Sequence, residues 1–308
     1  MTRGFMPGFC AALIAVICWG VQLPVAKDAF AIVDPFHLSL FRYFVAIVCL
    51  TPLLVWREGW AALSYRGLGG RAIVLGLLGM CVSPMGTFIG MSLSSAEHCV
   101  VIGSLQPTMA ALAMWAWAHR RPANFTLLCI VLAFAGVLLV VTDGALDATK
   151  STRQLLGDGA ILIGSASWVI YTAGISRLTG WSTWRITVLT MIPGTLGTLI
   201  FTQVLVVSGH SQVPSMAAMV SVAWQLAYLS LIGVTFSMMA WNFGSRRIGV
   251  LNSSLLINFM PVVTFGYRAL QGHAIHPIEL YGAALVVGAL IANNVYLRRQ
   301  YLARAVEA

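Results

Sequence analysis

Seven side chains set inside long apolar runs carry most of the chemistry that this sequence offers: Trp19, Gln22, Gln106, Trp168, Tyr171, Trp241 and Asn258. Trp19 and Gln22 are three residues apart, as are Trp168 and Tyr171, so on helices each pair shares one face. A ring beside a hydrogen-bonding group offers stacking area plus directional contacts, the mixture expected of a small-molecule pocket. In hydrocarbon such polar groups must find a partner or face an aqueous cavity. Interhelical hydrogen bonding and an interfacial aromatic belt are the competing readings. Trp56, Trp115 and Trp117 fall at the ends of apolar runs and read as belt. Gln106 and Asn258 stand near Pro107 and Pro261. A proline within a helix removes one backbone hydrogen bond and favours a kink, which makes Pro107 and Pro261 candidate gating points. Gly86 and Gly90 form a small-xxx-small pattern suited to close helix packing.

Charged groups are scarce in the same runs. An ionisable residue at membrane depth costs about 2.5–3.5 kcal/mol and is a functional candidate by default. No Asp or Glu falls near the middle of an apolar run; Glu97, Asp158 and Glu279 fall at run starts, where a carboxylate can cap a helix N-terminus. Lys27 and Arg42 read as lying near one membrane surface, either snorkelling to it or meeting a substrate carboxylate at the mouth of a pathway. A proton pump usually needs a buried carboxylate or His relay, so facilitated export or exchange fits better. His273, His276 and Glu279 have spacing compatible with a metal but lack further ligands, so no metal or cofactor is expected. There is no Walker A lysine motif, no G-x-S-x-G and no metalloprotease motif. Neither ATP-driven transport nor catalysis finds support.

The elements that must position these residues are membrane helices. Of the 308 residues, 59% are hydrophobic and only 9% charged, and the mean hydropathy is +0.88. One soluble core of this size cannot hide that much apolar surface; a bilayer removes the need. The first apolar run has only Arg3 before it, lacks an A-x-A site and is followed by others, so it is not a cleavable signal peptide. Ten spans of about 20 residues are expected at 8–27, 38–56, 71–92, 97–117, 125–142, 157–176, 184–206, 222–243, 250–270 and 277–297. The net charge of +9 sits in the short connections, so it reads as a topology signal and not as a nucleic-acid surface. Thirteen Lys and Arg fall on one side and four on the other, which places both termini in the cytoplasm. The six cysteines lie in or beside apolar runs, without C-x-x-C spacing, and read as small core residues.

A shift of 154 residues aligns Gly79 with Gly233, Ser83 with Ser237, Gly90 with Gly244 and Pro107 with Pro261. A shift of 149 aligns Trp19 with Trp168, and one of 152 aligns Gly136 with Gly288. The chain therefore reads as two five-helix copies, 1–145 and 155–300. Five is odd, so the second copy enters the membrane upside down, as in the inverted repeats of secondary transporters. The basic turn at Arg120-Arg121 faces an arginine-free turn at His273, as inversion predicts.

With these features the chain resembles the drug/metabolite transporter superfamily, in its ten-helix EamA-type branch. The resemblance is carried by Trp19-Gly20 through Lys27, by Asp34-Pro35 leading to Phe41-Arg42-Tyr43, by Pro107 and Pro261, and by Gly136-Val137-Leu138-Leu139. Many members carry a glutamate where this chain has Arg120 and His273. The Trp-rich, Gln-bearing core is most similar to exporters of aromatic and other amino acids. That resemblance implies a multi-pass inner-membrane protein that moves a small molecule out of the cytoplasm through a central cavity between the halves. Export of amphipathic drugs or other metabolites is the alternative; a membrane-embedded enzyme or receptor would need a catalytic constellation or a partner domain, and neither is visible.

Overall fold

A computed structural model describes residues 5–118, 123–141, 152–175, 177–248, 253, 256–257, 259–274 and 276–307. Among these residues all regular structure is helical. Without water to satisfy backbone groups, an apolar chain must bond them internally, and a helix does so within one segment. In chain order the helices are α1 (Phe5–Ala29), α2 (Pro35–Glu58), α3 (Gly69–Leu93), α4 (Ala96–Gly103), α5 (Gln106–Ala118) and α6 (Asn124–Val141). They continue with α7 (Thr152–Ile175), α8 (Thr183–Val207), α9 (Met216–Ser221), α10 (Ala223–Ile248), α11 (Met260–Leu270) and α12 (Pro277–Glu307). Six of these, α1, α2, α3, α7, α8 and α10, are long and apolar enough to cross a membrane. The run expected as one continuous span at 97–117 is instead two helices, broken at Ser104-Leu105.

Local signals set the ends. Asp34 caps α2, accepting from the Phe36 and His37 N–H groups at 2.9 and 2.8 Å, with Pro35 at the first helical position, where a missing N–H costs nothing. Gly59, at φ +74°, ends the same helix. Ser95 and Ser182 cap α4 and α8. Pro107 and Pro261 each stand second in a helix that begins afresh, α5 and α11, so they follow breaks and do not kink continuous helices as expected. Pro24 and Pro193 do lie inside helices. A proline frees the carbonyl four residues earlier, and each freed carbonyl has a partner from elsewhere. Gly20 O accepts from Thr264 Oγ1 at 2.8 Å, and Leu189 O accepts from the Tyr65 hydroxyl at 3.1 Å.

Glycines let helices touch. A Cβ on Gly86 would lie 2.7 Å from Ala160 O, and one on Gly164 2.7 Å from Ser83 O, so α3 and α7 meet backbone to backbone. Likewise, a Cβ on Gly244 would lie 2.7 Å from Gly8 O, joining α10 to α1. Both α3 and α10 contain a stretch wound with wider i→i+5 turns, at Leu77–Val82 and Tyr228–Phe236. Such stretches are rare and recur at functional sites.

The charged ends of the helices segregate. At one end Arg57 stacks 5.0 Å from the Trp184 ring, Arg185 donates to Ser64 O, and Arg246 donates to Thr183 Oγ1 at 3.1 Å. At the other, Lys27 donates to Met91 O and Ser94 O, and Arg268 pairs with Glu97 at 3.1 Å. Asp158 is no exposed cap. It is buried, accepting from Ser94 Oγ at 2.7 Å and lying 3.1 Å from His98 Nδ1.

Candidate functional site

A cavity opens where α1, α2, α3, α7 and α10 meet the α4–α5 break. Its walls include Trp19, Gln22, Arg42, Phe88, Gln106 and Trp168. Four of the residues expected to bind substrate, Trp19, Gln22, Gln106 and Trp168, thus share one chamber. Tyr171 and Trp241 do not line it. Both are fully buried behind the wall, Tyr171 against Trp168 (ring centroids 5.2 Å) and Trp241 against Trp19 (5.2 Å). Asn258 lies outside the described residues.

The wound-out stretch of α10 organises one wall. Gly233, inside it, has no side chain, and its carbonyl accepts from the Trp19 indole N–H at 3.0 Å. The Gln22 amide, turned so that both of its ends are satisfied, donates to the same carbonyl at 3.0 Å and leaves its oxygen 3.2 Å from the Arg42 guanidinium. A Cβ on Gly233 would strike Gln22. Trp19 also meets Trp168 edge to face at 5.6 Å, a geometry that suits the ring quadrupoles. Two indoles and an amide are therefore fixed relative to one another by contacts between α1, α7 and α10.

Arg42 departs most from the sequence-based expectation. It is only 2% exposed and lines the cavity instead of reaching a surface. Its guanidinium lies 3.8 Å from the Phe88 ring centroid and 4.9 Å from that of Tyr43. Cation–π contacts return about 0.5–2 kcal/mol, less than the several kcal/mol of effective penalty for a buried ion. No carboxylate among the described residues pairs with it, and its Nε has no partner. Its depth was countable in the sequence: seven residues past Pro35, at 1.5 Å each, set it about 10 Å into α2. Phe88, in contrast, carried no signal that separated it from any other apolar residue. Gln106, at the start of α5, lines the same cavity and has a buried Oε1 without a partner.

The arrangement has stacking faces, hydrogen-bonding groups and one cation, but among the described residues no nucleophile–base pair and no cluster of metal-ligating side chains lines it. It can hold a molecule. The EamA-like transporter family model matches the chain twice, over residues 6–142 and again over 155–295. The chain belongs to the EamA-like transporter family. It is thus a membrane transporter with a small-molecule substrate. It is 30% identical to "Uncharacterized transporter YrdR" of Bacillus subtilis, over 95% of this chain and 92% of that one. It is 26% identical to "Uncharacterized transporter YyaM" of the same organism, over 90% of each chain. It is 22% identical to an uncharacterized transporter of Archaeoglobus fulgidus, over 84% of this chain and 87% of the other. A crystal structure with 16% sequence identity superposes with a TM-score of 0.67 over 95% of this chain and 98% of that one, which shows a shared fold.

Proposed function

We propose that this EamA-family chain exports small metabolites, amino acids foremost, from the cytoplasm across the inner cell membrane. Ten spans form two inverted five-helix halves, 1–145 and 155–300, with both termini in the cytoplasm. The halves rock against each other so that the cavity opens alternately to either side. The observation that carries this reading is the cavity itself: its walls come from α1 to α5 of the first half and from α7, α10 and α11 of the second. The doubled family match and the glycine contacts that recur in α3–α7 and α10–α1 support the two-copy architecture. The helix breaks before Pro107 and Pro261 fall at equivalent places and serve as gates. Trp19, Gln22, Gln106, Trp168 and Asn258 contact the cargo, with Tyr171 and Trp241 backing the rings.

The test is flux. Purified protein in liposomes is expected to move labelled amino acids down their gradients without ATP. Folded, correctly inserted protein that moves none of them sinks the amino-acid reading.

A further inference from the structure

Arg42 alone carries a charge among the described residues that line the cavity, and no Asp or Glu lines it. In membrane proteins a structural arginine snorkels to the interface or pairs with a carboxylate or backbone carbonyl. Arg185, the other almost wholly buried arginine among the described residues, does the last, donating to Ser64 O at one end of the bundle. Arg42 does none of these. Its guanidinium lies close to both the Phe88 and Tyr43 ring centroids (3.8 and 4.9 Å) and is buttressed by the Gln22 amide oxygen, while its Nε has no partner. These contacts hold the guanidinium in place and leave its charge unneutralised.

We propose that Arg42 is the anion-binding group of the cavity and that the cargo is an organic acid, bearing one carboxylate on an apolar or aromatic body. The inference rests on the transport reading and names the substrate class. A guanidinium matches a carboxylate with two parallel N–H···O bonds, and the pairing is strongest where water is scarce. The cargo's body lies on the Trp19–Trp168 edge-to-face pair. Gln106 Oε1, a buried acceptor without a partner, takes an N–H or O–H from the cargo. This suits the ammonium of an amino acid or the hydroxyl of a hydroxy acid equally. An organic cation finds no counter-charge here and meets a like charge instead, so cations are rejected.

The test uses the purified full-length chain and three compounds sharing one ring: 3-phenylpropionate (anion), phenylalanine (zwitterion) and phenethylamine (cation), read by thermal stability and by proteoliposome flux. The same three charge types are run on an indole and on an isobutyl body. The anions and zwitterions are expected to raise the melting temperature, and the cations to leave it unchanged. Arg42→Gln is expected to weaken anion binding about 10- to 100-fold, the loss typical of a charge-assisted hydrogen bond, and Arg42→Lys to recover part of it. Because Arg42→Gln can fail to fold, the charge selectivity of the unmodified protein is a separate criterion. Equal or stronger binding of the cations, unchanged anion binding in folded Arg42→Gln, or no binding by any compound overturns the proposal. Anion binding without flux overturns the transport reading and leaves the Arg42 assignment standing. Flux of cations, unaffected by Arg42→Gln, does the reverse.

Discussion

α1 lies along α10 much as α7 lies along α3, and the two contacts can be compared residue by residue. At one end of each pair the backbones touch through glycine: Gly8 beneath Gly244 in the first, Gly157 beneath Gly90 in the second. Farther along, a glycine in a wound-out stretch is covered by a side chain of the facing helix. Gly233 is covered by Gln22, and Gly79 by Tyr171. Each covering side chain then reaches a residue seven positions past the start of the next long helix. Gln22 reaches Arg42 in α2 (3.2 Å), and Tyr171 reaches Thr190 in α8 (3.4 Å). The packing is repeated, but the chemistry is not. One pair is an amide and a cation that line the cavity; the other is a phenol and a hydroxyl buried behind it. Close backbone approach tolerates few residues, so it keeps the two contacts alike. On the proposed transport reading a group that faces cargo is free to differ, and substrate preference is expected where the two contacts diverge.

The largest expected effects probe the shared packing. Gly90→Leu and Gly244→Leu each force a side chain into backbone and should cost at least about 1–3 kcal/mol. Melting midpoints in detergent should fall by similar amounts, and the two losses should add, since the sites share no partner. If one replacement is tolerated and the other is not, the two contacts are not equivalent. The next effects probe the divergence. Gln22→Ala is expected to lower flux about tenfold, equivalent to ~1.4 kcal/mol, because Arg42 loses its buttress; Trp168→Ala should do the same by removing a wall. Both should express and fold. Tyr171→Phe removes only a hydroxyl that lies 3.4 Å from Thr190 Oγ1 and beside Asn242 and should cost less than about 1 kcal/mol, leaving flux unchanged. Equal losses in Gln22→Ala and Tyr171→Phe would erase the distinction between the two sides.

Much of the shared framework was legible in the sequence because it is written in residue types that do one thing. Gly79, Gly90, Gly233 and Gly244 recur at a fixed shift because only glycine fits those contacts, and Trp19 with Gln22 announced a face by their spacing. What was not legible depends on partners distant in the chain. Asp158 looked like an interfacial cap because its partners, Ser94 and His98, come from another part of the fold. Arg42 looked like a surface residue because the span was expected to start at 38, whereas the helix starts at Pro35 and carries Arg42 deeper. The wider turns of α3 and α10 have no sequence signature of their own; they arise where a facing ring or amide presses against a glycine. Pro107 marked the right place but not the right geometry, since a proline signals a broken helix and a kinked one alike.

A coupling between pairs of substitutions tests how the two regions absorb their interior prolines. Pro24 in α1 leaves Gly20 O without its helical donor, and Thr264 from α11 supplies one. Pro193 in α8 leaves Leu189 O in the same state, and Tyr65 supplies one from outside the helix. Removing either donor strands a carbonyl in a setting with little water, so Thr264→Val and Tyr65→Phe should each lower stability by about 1 kcal/mol. Replacing the proline by alanine restores an N–H to the helix and should make the donor dispensable. The cost of Thr264→Val should therefore shrink in a Pro24→Ala background, and that of Tyr65→Phe in a Pro193→Ala background. A double-mutant cycle on the melting free energy measures that coupling. Gly20 O is the more enclosed of the two, since Thr264 is fully buried while Tyr65 is only partly so, and the larger coupling is expected there. Zero coupling at both sites would mean that water already satisfies the freed carbonyls, and that the contacts of Thr264 and Tyr65 follow from packing alone.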